Sequence, residues 1–426
     1  MSQDITSVDN VFGITRELPK NYVGRDSVDG KLNEDLSRGK HIVVYGSSKQ
    51  GKTCLRKHCI DSEEQITVQC SNKWELKDIH STILKQAGYE ITLSEKKTVS
   101  GTQKIKARLS AGVPHFGASS SVEGEKSEST ETETKELELD PTDVNDVIRA
   151  LKEIGFDKYI VLEDFHYLPE NTQKDFAVAL KAFHEASPFC FIIVGVWLEQ
   201  NRLIVHNGDL TGRVIAVNAD EWKHNQLRRV IEKGENILNV KYDLDFKDEL
   251  INNCFDSVYI VQEACRNVAL EEDVSETQPE LERLASDTDA KDIINQVVDE
   301  QSARYRAFIR QFSDGFQATE LEMYKWILYP ILEADTDDLD DGILYADLRE
   351  KIQSEHPRGD DLNPGNLTQA LKSTASLQVD KDIKPIIMDY DQTNRRLSIV
   401  DRGFLIWLDN TERTELFEQA GLNEVI

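Results

Sequence analysis

The sequence is short of positive charge. Fifty lysines and arginines face 78 aspartates and glutamates over 426 residues, a formal net charge of −28 at pH 7. Such a chain is not held to nucleic acid by its overall field, so any DNA contact has to come from a local basic patch. Acidity of this kind favours protein partners over polyanions. Long apolar runs are missing as well. None approaches the length that a bilayer needs, and Met1-Ser2-Gln3-Asp4 is polar, unlike the start of a secretory leader. No membrane role is expected, and a cytoplasmic location is. The six cysteines form no C-x-x-C pair, and several lie inside apolar runs. That pattern fits reduced thiols in an intracellular protein rather than disulfides or metal ligands. Neither H-E-x-x-H nor G-x-S-x-G occurs, so protease, nuclease or similar effector chemistry is expected on a separate chain, if anywhere.

One stretch stands out against these absences. The apolar run Ile42 to Tyr45 ends in Gly46-Ser47-Ser48-Lys49-Gln50-Gly51-Lys52-Thr53, which fits G-x-x-x-x-G-K-[ST]. The run predicts a buried strand, and Cys54-Leu55-Arg56-Lys57-His58 predicts the start of a helix. A loop that wraps phosphate with backbone N–H groups needs glycine where a Cβ would intrude. The helix start adds free N–H groups and a positive dipole end. Lys52 would reach the β- and γ-phosphates of a nucleotide, and the Thr53 hydroxyl would ligate Mg²⁺.

The second site element is Tyr159-Ile160-Val161-Leu162-Glu163-Asp164. Apolar residues followed by two acids place carboxylates at the C-terminal end of a strand, where ligands bind in open α/β sheets. Nucleotide hydrolysis needs an acid in the Mg²⁺ shell and one to orient water. Glu163 is assigned to the metal and Asp164 to the water, and a one-residue slip would exchange the roles. His166 reads either as a sensor of the γ-phosphate side or as a packed histidine.

Further apolar runs, Gln65–Cys70, Phe189–Trp197 and Val214–Val217, alternate with helical patterns at 74–87, 144–154 and 173–186. Continuous apolar strands separated by helices imply a parallel sheet covered on both faces. Residues 1–21 read as an arm that packs on the domain following it. Residues of about 92–141 read as an insertion. Alternation from Lys104 predicts a β-hairpin within 104–122, and the Ser/Thr/Glu-rich stretch 123–138 is expected to be mobile. Lys97, Lys104, Lys106 and Arg108 make a local basic run, either a solvated face or a nucleic-acid contact. From 218 to 313 only helices are expected, with 275–287 as an acidic linker. Residues 314–426 predict three helices, among them one over 367–377, then a hairpin over 385–400. This is the order of a winged helix.

Taken with the phosphate loop, the acid pair makes the chain resemble the AAA+/STAND class of P-loop ATPases, most closely its origin-recognition-like branch. The resemblance covers 22 to about 313. It implies a P-loop α/β core over 22–217, a helical lid over 218–313 and a winged-helix-like α+β domain over 314–426. It implies ATP and Mg²⁺ as cofactors. Binding falls to Arg25 in Tyr22-Val23-Gly24-Arg25, which closes over adenine, to Gly46, Ser47, Ser48, Lys49, Gln50, Gly51, Lys52, Thr53 and Cys54, and to Arg266 in the lid. Thr53 and Glu163 would hold the metal. Lys52, Glu163, Asp164 and Arg213 would be catalytic, Arg213 as an arginine finger on a neighbouring subunit or else in an intramolecular ion pair. Two departures stand out. The acids run Glu-Asp where the class has Asp-Glu, and Val194-Gly195-Val196-Trp197 lacks the usual polar sensor, although Asn201 is near.

The C-terminal 107 residues, 320–426, hold roughly two acids for each base, which opposes phosphate contact. Lys372, Arg395 and Arg396 are the cations placed to meet DNA, and protein docking is an equal reading. Two functions follow from the residues and the resemblance. One is an ATP-hydrolysing switch that assembles as a homo-oligomer, in anti-phage defence or signalling. The other is an ATP-latched module with little turnover that recruits a partner protein or DNA through its C-terminal domain.

Overall fold

The computed structural model describes residues 5–98, 101–109, 136–220 and 222–422. Strand β1 (His41–Tyr45) is buried throughout and leads through the phosphate loop into the helix Lys52–Cys59. Strand β2 (Gln65–Gln69) and the helix Leu76–Gln86 follow. Strands β3 (Tyr89–Lys97), β4 (Gln103–Leu109) and β5 (Glu136–Leu139) form a separate antiparallel sheet in the order β3-β4-β5. Then come β6 (Tyr159–Glu163), β7 (Phe191–Val194) and β8 (Val214–Asn218).

The central sheet has the order β2-β6-β7-β1-β8 and is parallel throughout. Alternate residues face opposite sides of a strand. Ile42, Val44, Val161, Ile192 and Val194 accordingly enter one core cluster, while Val43, Tyr45, Ile160, Leu162, Phe191 and Ile193 enter another. Burial on both faces is why these strands read as unbroken apolar runs. The order also sets the site. β7 lies between β1 and β6, so the phosphate loop and the acid pair emerge on either side of its C-terminal end.

The insertion differs from its sequence reading. The hairpin joins 89–97 to 103–109, with Tyr89 opposite Leu109 and Leu93 opposite Ile105. It does not lie within 104–122, most of which falls outside the described residues. The same holds for most of the stretch expected to be mobile, but its end, Glu136–Glu138, is part of β5 and pairs with β4.

The helices His224–Leu238, Leu244–Asn253, Val258–Glu271 and Ala290–Asp299 build the lid region. It is not purely helical. Strands β9 (Val240–Tyr242) and β10 (Glu282–Leu284) pair in parallel, so the expected acidic linker supplies a strand. The arm packs here and also meets the core, where Lys57 donates to the Arg16 carbonyl. The Val8 N–H donates to the Ser275 carbonyl at 2.9 Å, and the Phe12 ring meets Tyr242 edge-on at 6.0 Å.

The C-terminal unit contains β11 (Ile343–Leu344), β12 (Met388–Asp391) and β13 (Arg396–Ile399) in the order β11-β13-β12, all antiparallel. The helices Met323–Glu333, Tyr345–Glu355, Pro364–Lys372 and Thr374–Asp380 pack beside them. The single helix expected over 367–377 is broken at Ser373, whose N–H bonds back to the Gln369 and Ala370 carbonyls. One hydrophobic core runs from the lid into this unit through Tyr305, Phe308, Phe404 and Trp407. The unit also rests on the nucleotide core. Val196, Val379, Ile386 and Val400 form a small buried cluster, and Arg202 pairs with Asp389 at 2.5 Å, largely out of water.

Candidate nucleotide site

A cavity of about 600 Å³ opens where β1, β6 and β7 end. The phosphate loop lines it from Ser48 to Cys54, and Glu163, Asp164 and His166 line it from the far side of β7. Tyr22, Val23, Trp222, Val230 and Val258 supply apolar surface. Its size and its mix of apolar walls with few polar groups suit a nucleotide-sized ligand.

The front of the loop is anchored by a residue that the sequence reading missed. Asp220, two residues past β8, accepts hydrogen bonds from the Ser47 N–H and the Ser47 hydroxyl, each at 2.6 Å. Gly46 makes this approach possible. It has φ +143, and a Cβ there would stand 2.7 Å from the Asp220 carboxylate. Ser48 is held from the other end of the chain, its N–H donating to the Val400 carbonyl at 2.7 Å. Gly46 and Ser47 do not line the cavity, and the loop presents Ser48 to Thr53, together with Cys54.

Lys52 is buried and donates to the carbonyls of Gly46, at 3.0 Å, and Ser47. Burial brings its pKa down to about 8, against the pull of Asp220, Glu163 and Asp164. Lys49, also brought down to about 8 by burial, donates to Gln301 at 2.8 Å and lies over the Tyr259 ring. Both would recover full charge beside phosphate.

The acids are differently engaged. Glu163 accepts from Arg56 Nε at 2.8 Å in a buried ion pair, and Arg56 is held in turn by Gln65. Asp164 has φ +55, accepts from the Gln69 side chain, and has its pKa raised by burial and then by Glu163. Thr53 is exposed and lines the same cavity. Among the described residues, no three or more His, Cys, Asp or Glu side chains are grouped so as to hold a metal ion by themselves. One hydroxyl and one or two carboxylates fit Mg²⁺, which takes few protein oxygens and completes its shell with phosphates and water.

Three arginines assigned to the site lie elsewhere. Arg25 is buried behind the wall, stacked 4.1 Å from the Trp222 ring and donating to the Ala219 carbonyl at 2.8 Å. It steadies an aromatic wall and does not touch the cavity. Arg266 pairs with Asp9 of the arm at 2.7 Å, and the lid instead offers Tyr259 and Gln262. The Arg213 carbonyl accepts from His41 N–H, at the opening end of β1. The phosphate loop follows the other end of that strand, so Arg213 cannot serve the cavity of its own chain. Its guanidinium pairs with Glu185 at 2.9 Å. Asn201 does not line the cavity, whereas Val194, Gly195 and Val196 do.

No family model matches the sequence, and no curated protein matches it. Solved structures do. A Walker-type ATPase of Pyrococcus abyssi aligns over 94% of this chain and all of its own, at 11% identity and a TM-score of 0.50. The chain shares the fold of this Walker-type ATPase. The Orc1 protein of Aeropyrum pernix, solved in complex with DNA, aligns over 100% of this chain and 98% of its own, at 11% identity and a TM-score of 0.45. Cdc6p of Pyrobaculum aerophilum aligns over 98% and 99%, at 13% identity and 0.38. The parallel sheet flanked by helices matches the expected fold class, and a small antiparallel sheet stands near the C-terminal end of the described residues.

Asp220 and Gln69 were missed for different reasons. Asp220 follows an apolar strand by two residues, past a run read only as part of the sheet. Gln69 is an ordinary polar residue at a strand end until β2 is placed beside β6.

Proposed function

We propose that this chain binds ATP with Mg²⁺ and hydrolyses it as a conformational switch. The observation that carries the reading is the meeting of Lys49 to Cys54 with Glu163 and Asp164 in one cavity, from strands that are not neighbours. Lys52 and the loop's N–H groups would hold the β- and γ-phosphates, and Thr53 and Glu163 would hold the metal. When bound, Mg²⁺ neutralises phosphate charge. Asp164, held by Gln69, would orient the attacking water. Lys52→Ala is expected to abolish both nucleotide binding and turnover. Full ATPase activity in a folded K52A protein overturns the assignment.

Assembly as a homo-oligomer is supported by the position of Arg213. It stands at the wrong end of the sheet for its own site and at a free edge where it can reach a neighbour's. The C-terminal unit, with the element order of a winged helix, would carry the output to a partner protein. Its acidic balance disfavours DNA. No helix among the described residues is long and apolar enough to cross a membrane. By analogy with single-chain ATPases of this kind, the role we favour is anti-phage defence or signalling. Loss of protection against phage on Lys52→Ala, in a host expressing the chain, tests it.

A second reading has its own support. Glu163 is tied to Arg56 and the end of β7 is apolar, which suits an ATP-latched module that turns over little. Single-turnover and steady-state rates on one preparation separate the two. Tight ATP binding with no product formed selects the latch.

A further inference from the structure

The cavity has a buried polar side chain on its wall that nothing among the described residues satisfies. His166 lies on the short turn Phe165–Tyr167, directly after the acid pair. It is 4% exposed, and neither ring nitrogen has a hydrogen-bond partner among the described residues. Native structures seldom leave a buried polar group unmatched without a use for it. Its ring packs on Tyr167 with centroids 4.0 Å apart.

Two spaces meet at this side chain. On one side is the main cavity, with Lys52, Glu163 and Asp164. On the other is a narrow cleft between the core and the C-terminal unit, shared with Arg202, Ala375 and Val379. The helix Thr374–Asp380 packs against the Phe165–Tyr167 turn. Burial, and then the charges of Lys52 and Arg202, keep the imidazole neutral. A neutral imidazole carries one N–H donor and one acceptor nitrogen. At the end of β7, the neighbouring place for a nucleotide-reading side chain, only Val194, Gly195 and Val196 are present.

We propose that His166 donates a hydrogen bond to the terminal phosphate of a bound nucleoside triphosphate, and that this bond fixes the turn on which the helix Thr374–Asp380 rests. A diphosphate leaves the ring unmatched. The C-terminal unit then registers the difference through its direct contact with the turn. This rests on the nucleotide reading above and adds to it which residue distinguishes triphosphate from diphosphate.

The test uses the full chain with Mg²⁺, comparing ADP with a non-hydrolysable ATP analogue by calorimetry. The variants are His166→Phe, which fills the space without a donor, and His166→Gln, which keeps one. His166→Phe is expected to bind ADP as before and to lose about tenfold or more in affinity for the analogue, the scale of a hydrogen bond to a charged group. His166→Gln is expected to recover part of that loss. Amide exchange across residues 374–380 should differ between the two nucleotides in the unaltered protein and be alike in His166→Phe. A folded His166→Phe with an unchanged affinity ratio overturns the proposal.

A measurement on the unaltered protein stands if the variant does not fold. The ring ¹⁵N–H signal of His166 should move when the analogue replaces ADP, and identical signals overturn the proposal. Binding of neither nucleotide by the unaltered protein overturns the nucleotide reading itself, and this proposal with it. Equal discrimination by unaltered protein and variant removes only the role of His166.

Discussion

Lys52 makes nucleotide affinity depend on pH in a definite direction. Burial lowers its pKa to about 8 in the free protein, and a phosphate beside it favours the charged form. Affinity is therefore expected to be flat below pH 8 and to fall above it by up to about tenfold per unit, with uptake of up to about one proton. Calorimetry in buffers of different ionisation enthalpy, at pH 7 and 8.5, counts those protons, and no uptake at 8.5 removes Lys52 from phosphate contact. Folding responds oppositely. The unfolded lysine, at 10.5, binds its proton more tightly than the folded one. Stability of the nucleotide-free protein should accordingly rise as pH climbs from about 8 towards 10.5. Gln69 gives a second prediction. Its hydrogen bond lowers the pKa of Asp164, which burial has raised. Gln69→Ala should move the acid limb of the turnover profile to higher pH, because Asp164 then takes up its proton sooner. An unmoved limb would show that Asp164 does not control the rate.

Gly234 shows how the arm is tied down at the level of elements. It lies in the helix His224–Leu238, and a Cβ there would stand 2.1 Å from the Phe12 ring. Gly234→Ala should destabilise the protein by about 1–3 kcal/mol through overpacking, more than the helix propensity of alanine restores. Adding Phe12→Ala should relieve the clash, so that the pair is less than additive in thermal unfolding. Additive losses would mean that the arm is not seated there. The elements also show what the sequence made legible. β1 and β6 are buried on both faces, so their apolar runs announced them, and with them the phosphate loop and the acids. β3 was missed because most of its residues face solvent and its stretch Glu95-Lys96-Lys97 is charged. β9 and β10 have three residues each, too few for alternation to show. Arg56 sent no signal, since an arginine in a helix reads as solvated until the sheet order brings Glu163 beside it.

At the scale of the whole molecule, the core and the C-terminal unit are joined by polar contacts as well as by packing. The Arg202–Asp389 pair crosses between them with both side chains largely buried. Removing one partner of such a pair leaves an uncompensated charge, which costs about 3–5 kcal/mol. Asp389→Ala should therefore lower stability by about that much, and Arg202→Ala with Asp389→Ala should be the milder lesion in urea unfolding. Equal stability of Asp389→Ala and the unaltered protein would mean that the pair holds nothing together. Arg213 belongs to a larger scale still. If it completes a neighbour's site, ATPase activity per chain should rise with protein concentration, and Arg213→Ala should keep nucleotide affinity while losing that rise. A concentration-independent rate in the unaltered protein speaks against assembly through Arg213.

The bond from Ser48 to the Val400 carbonyl sets a timetable for the chain's birth. A ribosome that has just made the phosphate loop must add roughly 350 more residues before the loop's partner exists, on the order of tens of seconds at ordinary elongation rates. Through that interval the nascent core can close its sheet and shape the loop around Asp220, which arrives about halfway. The hold on Ser48 and the seat against the turn beside the acids come only once residues 374–400 have been made. A polypeptide released early would carry the phosphate loop without its restraint. The contact at Val400 thus ties the finished nucleotide site to residues made long after the loop itself.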